Sequence, residues 1–143
     1  MKLLSLTRKG TYKGLNAQTF DFTQGDDNII ALIGLNGSGK SQLLELIAET
    51  FAYIERHQRD DFKKPQLPFN VSIVYRIAVI GGGNESPVFR VEIGDKGKIS
   101  AFVLTDNKSW EDYSVSALPY PDFIIGYASG LNENLQRPFM KNT

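Results

Sequence analysis

The segment IIALIGLNGSGKSQLLELIAE, Ile29–Glu49, constrains the fold more than any other part of the chain. An apolar run, Ile29–Ile33, enters a loop with three glycines in six residues, Gly34–Gly39, and a helical pattern follows at once. Glycine costs backbone entropy and offers no side chain to bury. Such a loop is a poor connector if packing is its only task, and it suits a backbone that something must approach closely. The run before it shows no polar alternation, which fits a strand covered on both faces, as in a parallel sheet. The residues after it, Ser41–Arg56, carry an apolar stripe at helical spacing: Leu43, Leu44, Ile47, Phe51 and Ile54.

Gly34-Leu35-Asn36-Gly37-Ser38-Gly39-Lys40-Ser41 satisfies G-x-x-x-x-G-K-[ST] in full, the Walker A pattern. Independent draws from this composition would place that pattern in roughly 1% of chains of this length. The strand before it and the helix after it are the context the motif needs. Consecutive backbone N–H groups in such a loop turn inward on a phosphate chain, and Cβ atoms would block the approach. The helix start adds unpaired N–H groups and a positive dipole end. Lys40 is positioned to reach the β- and γ-phosphates, and the Ser41 hydroxyl to ligate Mg²⁺. The implied ligand is a nucleoside triphosphate. A guanine-reading N-K-x-D string is missing; the nearest, NKSW at 107–110, lacks the aspartate.

The surrounding pattern limits the kind of nucleotide-binding protein. Residues 2–8 and 18–23 read as two strands, the second with Phe20 and Phe22 on one face. Small-molecule kinases and GTPases place the loop directly after their first strand; here two strands come first. The stretch 57–68 is charged, holds two prolines and reads as an exposed loop. Three strand-like segments follow, 70–80, 87–93 and 98–104, joined by GGGNES and GDKG, the signals of an antiparallel meander. Residues 105–122 read as a loop with one short helical turn, and FIIGYA, 123–128, as another buried strand. The pattern predicts an α/β fold with a mixed sheet, a long helix after the glycine loop and the meander against it.

Composition removes several classes. With no cysteine and one histidine, His57, neither thiolate nor His-cluster metal sites are open to the chain. Sixteen basic and sixteen acidic residues give zero net charge, which favours no polyanion as partner. No apolar run approaches the ~18 residues of a membrane span, and MKLLSLTRKG is too short and broken in its apolar part for a signal peptide. A cytoplasmic location with no membrane partner is the expectation.

LLSLTRKGTYKGLNAQTFDFTQGDDNIIALIGLNGSGKSQLLELIAE resembles the N-terminal lobe of ABC-type ATPases of the RecF and SMC kind, whose loop reads G-x-N-G-S-G-K-S. IGLNGSGKSQLLE together with IIGYASGLNENLQRPF is similar to bacterial ATPases of restriction-associated and anti-phage defence systems, such as the PtuA component of Septu systems, with or without a retron partner. The resemblance covers residues 1–55 and, more loosely, 70–135. It implies that 1–143 forms one partial domain, the N-terminal lobe of an ATPase head that binds ATP and Mg²⁺ through Asn36, Gly37, Ser38, Gly39, Lys40 and Ser41. It further implies that ATP closes two heads face to face, that a nuclease partner and nucleic acid act through the full complex, and that the complete protein hydrolyses ATP. A basic or aromatic group near the first hairpin, Arg8, Lys9 or Tyr12, is expected against the nucleotide. The family's metal-holding glutamine after its later strand has no counterpart here; Ser129 or Gln136 stands nearest. The alternative is an assembly module whose nucleotide is bound and never hydrolysed. AFVLTD, 101–106, has the apolar-run-then-aspartate form of a second nucleotide motif, but GDKG makes it a hairpin partner of VFRVEI, whereas that motif needs a parallel strand.

Overall fold

A computed structural model of the chain describes residues 1–10, 16–24, 29–36, 38–61, 70–78 and 86–125. Six strands form one sheet: β1 (Lys2–Lys9), β2 (Gln18–Asp21), β3 (Asn70–Arg76), β4 (Val88–Ile93), β5 (Ile99–Leu104) and β6 (Trp110–Tyr113). One α-helix, α1 (Lys40–His57), lies between β2 and β3 in sequence. The spatial order is β2-β1-β3-β4-β5-β6.

Side-chain alternation explains the sheet. On one face a row runs through all six strands: Phe20, Leu6, Ile73, Val91, Ala101 and Tyr113. This face meets α1, whose Leu43, Leu46, Phe51, Tyr53 and Ile54 complete the core. Phe51 stands edge-on to Tyr75 at 5.3 Å between ring centroids, and Tyr75 continues to Phe89 at 6.1 Å. Burying side chains of this size contributes roughly 1.5–3 kcal/mol each, which holds an 18-residue helix that would be marginal alone. The helix has no internal glycine or proline, and Arg56 and His57 lie in its last turn, where cations suit the carbonyl end.

Three polar ties lock the outer turns onto the core. The Tyr53 hydroxyl donates to the Gly97 carbonyl at 2.8 Å, fastening the β4–β5 turn. The Tyr75 hydroxyl donates to the Pro119 carbonyl at 2.7 Å. Gln58 Nε2, just past α1, donates to the Val115 and Leu118 carbonyls at 2.8 and 2.7 Å, across a 3-10 turn at Val115–Ala117.

Several sequence expectations need correction. Every ladder among the described residues is antiparallel, so the sheet is not mixed there. Ile29–Ile33 is not a strand: it makes no ladder, and Ile29 and Ile33 are 85% and 95% exposed. Only Leu32 of this run packs against the core. The same holds for 123–125, where Ile124 reaches the core while Phe123 and Ile125 are 85% and 91% exposed. A continuous apolar run becomes a buried strand only where neighbours pair with both its edges. Here the six strands pair among themselves, four of the five ladders joining consecutive strands, and these two segments lie outside the sheet. Within α1, Leu44 is exposed and Leu46 fully buried, so the stripe is shifted from the expected one. The expected loop at 105–122 contains β6. Residues 62–68 of the expected exposed loop, and 126–143, lie outside the described residues.

Candidate functional site

The loop from Gly34 to Lys40 is organised by its lysine. Lys40, the first residue of α1, turns its Nζ back to donate to the Gly34 carbonyl at 2.7 Å, the Leu35 carbonyl at 2.8 Å and Ser38 Oγ at 3.3 Å. An ammonium has three donors, and these three acceptors match them. The Ser38 N–H donates to the Leu35 carbonyl at 3.1 Å. Gly39, the residue before the helix, has φ 93° and ψ 9°, the left-handed region where a side chain is disfavoured.

The start of α1 is unusually bare. No side chain caps it, and its first turn contains no acid. Its first internal bond runs from the Leu43 N–H to the Gly39 carbonyl at 2.9 Å, so the N–H groups of Lys40, Ser41 and Gln42 have no partner within the helix. Ser41 is exposed beside them. Three amide donors, a positive dipole end and an ammonium therefore converge with no acid in that turn to neutralise them.

Gly34 shows how closely the loop is folded. A Cβ at this position would lie 2.6 Å from Ser38 Oγ and 3.3 Å from Ser38 Cβ. That space is already filled by the side chain that helps hold Lys40. A backbone cradle, a lysine fixed at its mouth and an exposed serine hydroxyl at the next position fit a polyphosphate with its divalent cation.

The remaining candidates separate. Arg8 is 1% exposed on the helix-facing side of β1, in the row with Val71, and burial lowers its pKa. Lys9, one residue on, is exposed at the strand's end. A single surface turn therefore does not account for both. Tyr12, Gly37, Ser129 and Gln136 lie outside the described residues. Asp106 follows β5, which pairs antiparallel with both β4 and β6. Sequence reasoning named the donors of the loop and missed its acceptors, the Gly34 and Leu35 carbonyls. Backbone carbonyls carry no residue signature, so only the motif's fixed spacing to Lys40 could have pointed to them.

No protein-family model matches the chain, and no curated protein matches it. Among solved structures, a chain from work on the structural biochemistry of ATP-driven dimerization and DNA-stimulated activation of SMC ATPases aligns with it. The alignment covers 99% of this chain and 92% of that one, at 20% identity and a TM-score of 0.43. No described helix is long and apolar enough to cross a membrane.

Proposed function

We propose that this chain binds ATP with Mg²⁺ at Gly34–Ser41 as the N-terminal lobe of an ABC-type ATPase head. The carrying observation is the fixed Lys40 ammonium at the mouth of a helix start that has neither cap nor acid. In this reading the amides of Gly39–Ser41 face the phosphates, and Lys40 exchanges part of its carbonyl bonding for phosphate oxygens. Ser41 offers its hydroxyl to the cation. Bound beside Ser41, Mg²⁺ would supply positive charge to offset that of the phosphates. Residues 1–143 serve as one lobe, and a second copy closes on it when ATP is bound. Its setting is a bacterial defence or DNA-associated system, with a nuclease and nucleic acid reached through the assembled complex in the cytoplasm.

A second reading, nucleotide binding for assembly without hydrolysis, is favoured by one observation. Asp106, the acid at the end of an apolar strand, sits in an antiparallel meander, whereas an acid acting beside the loop needs a parallel neighbour. Titration calorimetry with ATP, GTP and ADP, each with and without Mg²⁺, tests the shared part of both readings. ATP binding at least as tight as GTP binding, strengthened by Mg²⁺, is expected. Absence of nucleotide binding removes the reading, and a clear preference for GTP removes the ABC-type assignment.

A further inference from the structure

The face of the sheet turned away from α1 carries its own row across all six strands: Asp21, Ser5, Val74, Arg90, Phe102 and Asp112. Trp110 joins this face beside Leu104, its cross-strand partner. The Arg90 guanidinium carbon lies 4.6 Å from the Phe102 ring centroid and 4.7 Å from that of Trp110. Arg90 Nε is 3.2 Å from Glu92 Oε1. Two aromatic rings therefore hold one guanidinium, with a carboxylate as its ion-pair neighbour although Nε makes no hydrogen bond. The ion pair uses Nε, and among the described residues the two Nη groups make no hydrogen bond or ion pair. Those groups form a planar fork that matches a carboxylate bidentately.

Cross-strand stacking explains why the rings and the arginine are neighbours. It does not by itself call for a fork held between two rings on a face that no other described element covers. We propose that this face docks a segment of a partner protein in which a carboxylate side chain stands next to an apolar one. The carboxylate takes the Arg90 fork, and the apolar side chain lies over Trp110 and Leu104, both half-buried. Trp, Phe and Arg clustered at one point is the composition that dominates protein interfaces. The charges select protein over nucleic acid. Glu92 and Asp112 are exposed on this face, Asp112 two strands from Arg90, and Arg76 and Lys2 share the face, so its charge is mixed and is not the unbroken basic track that a phosphate backbone follows. A single carboxylate needs only the one fork. The chain's zero net charge supplies no compensating basic field.

The test uses a displayed library of random heptapeptides, selected in parallel on the full chain and on its Arg90→Lys variant, which keeps the charge and loses the fork. Trp110 is the only tryptophan in the chain, so its fluorescence reports on this site. Selection on the unaltered chain is expected to enrich Asp or Glu adjacent to an apolar residue. A synthetic copy of the most enriched peptide should shift Trp110 emission saturably. Its Asn or Gln counterpart, and Arg90→Lys with the original peptide, should each bind at least tenfold more weakly. Circular dichroism checks the variant's folding, and the amide peptide on the unaltered chain keeps the test decisive if the variant is unfolded. No enrichment, enrichment without acids, or equal binding of the amide peptide overturns the proposal. So does an Arg90-dependent change in Trp110 emission with a twelve-residue oligothymidylate.

Discussion

Lys40 Nζ and the Gly34 carbonyl oxygen, six residues apart, are joined at 2.7 Å, and this bond closes the glycine loop on itself. The lysine thus holds the loop's shape, beside the anion-binding role proposed for it. Lys40→Ala should weaken ATP binding by roughly 10- to 100-fold, the worth of one or two charge-assisted hydrogen bonds. The core should remain, because Leu43 and Leu46, not Lys40, carry the helix onto the sheet. Calorimetry with a parallel thermal melt checks both halves. Equal affinities would remove Lys40 from the site.

Gly34→Ala separates loop geometry from charge. The new methyl would collide with Ser38 Oγ at 2.6 Å, and the hydroxyl must rotate away, giving up its contact with Lys40. Gly34 is not among the glycines with positive φ, so no backbone strain is added. The expected result is weaker ATP binding with a stability change below about 1 kcal/mol. A large loss of melting temperature would show that the loop belongs to the core.

Tyr75 links the core to the segment after β6. Its hydroxyl donates to the Pro119 carbonyl, and its ring is fully buried. Tyr75→Phe should cost about 1 kcal/mol, or about 3–5 °C in melting temperature at this length. Burial also pushes the pKa of Tyr75 above its ordinary value of 10.0, and that of Tyr53 in the same direction. Above pH 10 the unfolded chain releases these protons while the folded chain keeps them. The unfolded state then binds fewer protons, so stability falls as pH rises, by up to about 1.4 kcal/mol per pH unit for each tyrosine. Melting temperatures from pH 9 to 11 should decline, and Tyr75→Phe should flatten part of that decline. An unchanged slope would mean that Tyr75 ionises freely in the folded protein.

Gln58 makes a more local tie. Two bonds from Nε2 fasten the Val115–Leu118 turn to the end of α1. Gln58→Ala should cost about 1–2 kcal/mol and speed amide exchange at Ala117 and Leu118, which close that turn. Uniform acceleration across the sheet instead would point to global destabilisation.

The legible parts of this chain were those whose signal is local. Alternation in QTFD and in the meander set the strands, and short turns set their antiparallel pairing. The loop motif was readable because its pattern fixes both residue type and spacing. β6 was missed because WEDY carries two acids in four residues; its order appears only when Leu104 and Ala101 supply partners for Trp110 and Tyr113. Ile29–Ile33 and Phe123–Ile125 were misread for the opposite reason. Their apolar content is a statement about neighbours, and in the antiparallel sheet each turns only one residue, Leu32 or Ile124, toward the core. Arg8 could not be placed from sequence, since a basic residue in an alternating strand reads as solvent-facing until its register with Val71 is known.

The last prediction is that these 143 residues alone do not turn over ATP. Transfer of the γ-phosphoryl group to water needs a phosphate cradle, a second acid at Mg²⁺, a carboxylate that orients the water, and a donor that covers the departing charge. Gly34–Ser41 supplies the cradle, the lysine and one hydroxyl. Asp106 fails on topology, because β5 runs antiparallel between β4 and β6. Among the described residues no group of three or more acids or histidines is placed to hold a metal. Glu45 and Glu49 are the first acids after the loop, but both are buried along α1, and Glu49 stands 3.8 Å from Arg56. Steady-state phosphate release by the purified chain, with Lys40→Ala as the control for contaminating ATPase, is expected to be the same for both proteins. Turnover near 1 s⁻¹, about the low end for ordinary enzymes, and abolished by the substitution, would show that a complete catalytic set lies within this chain.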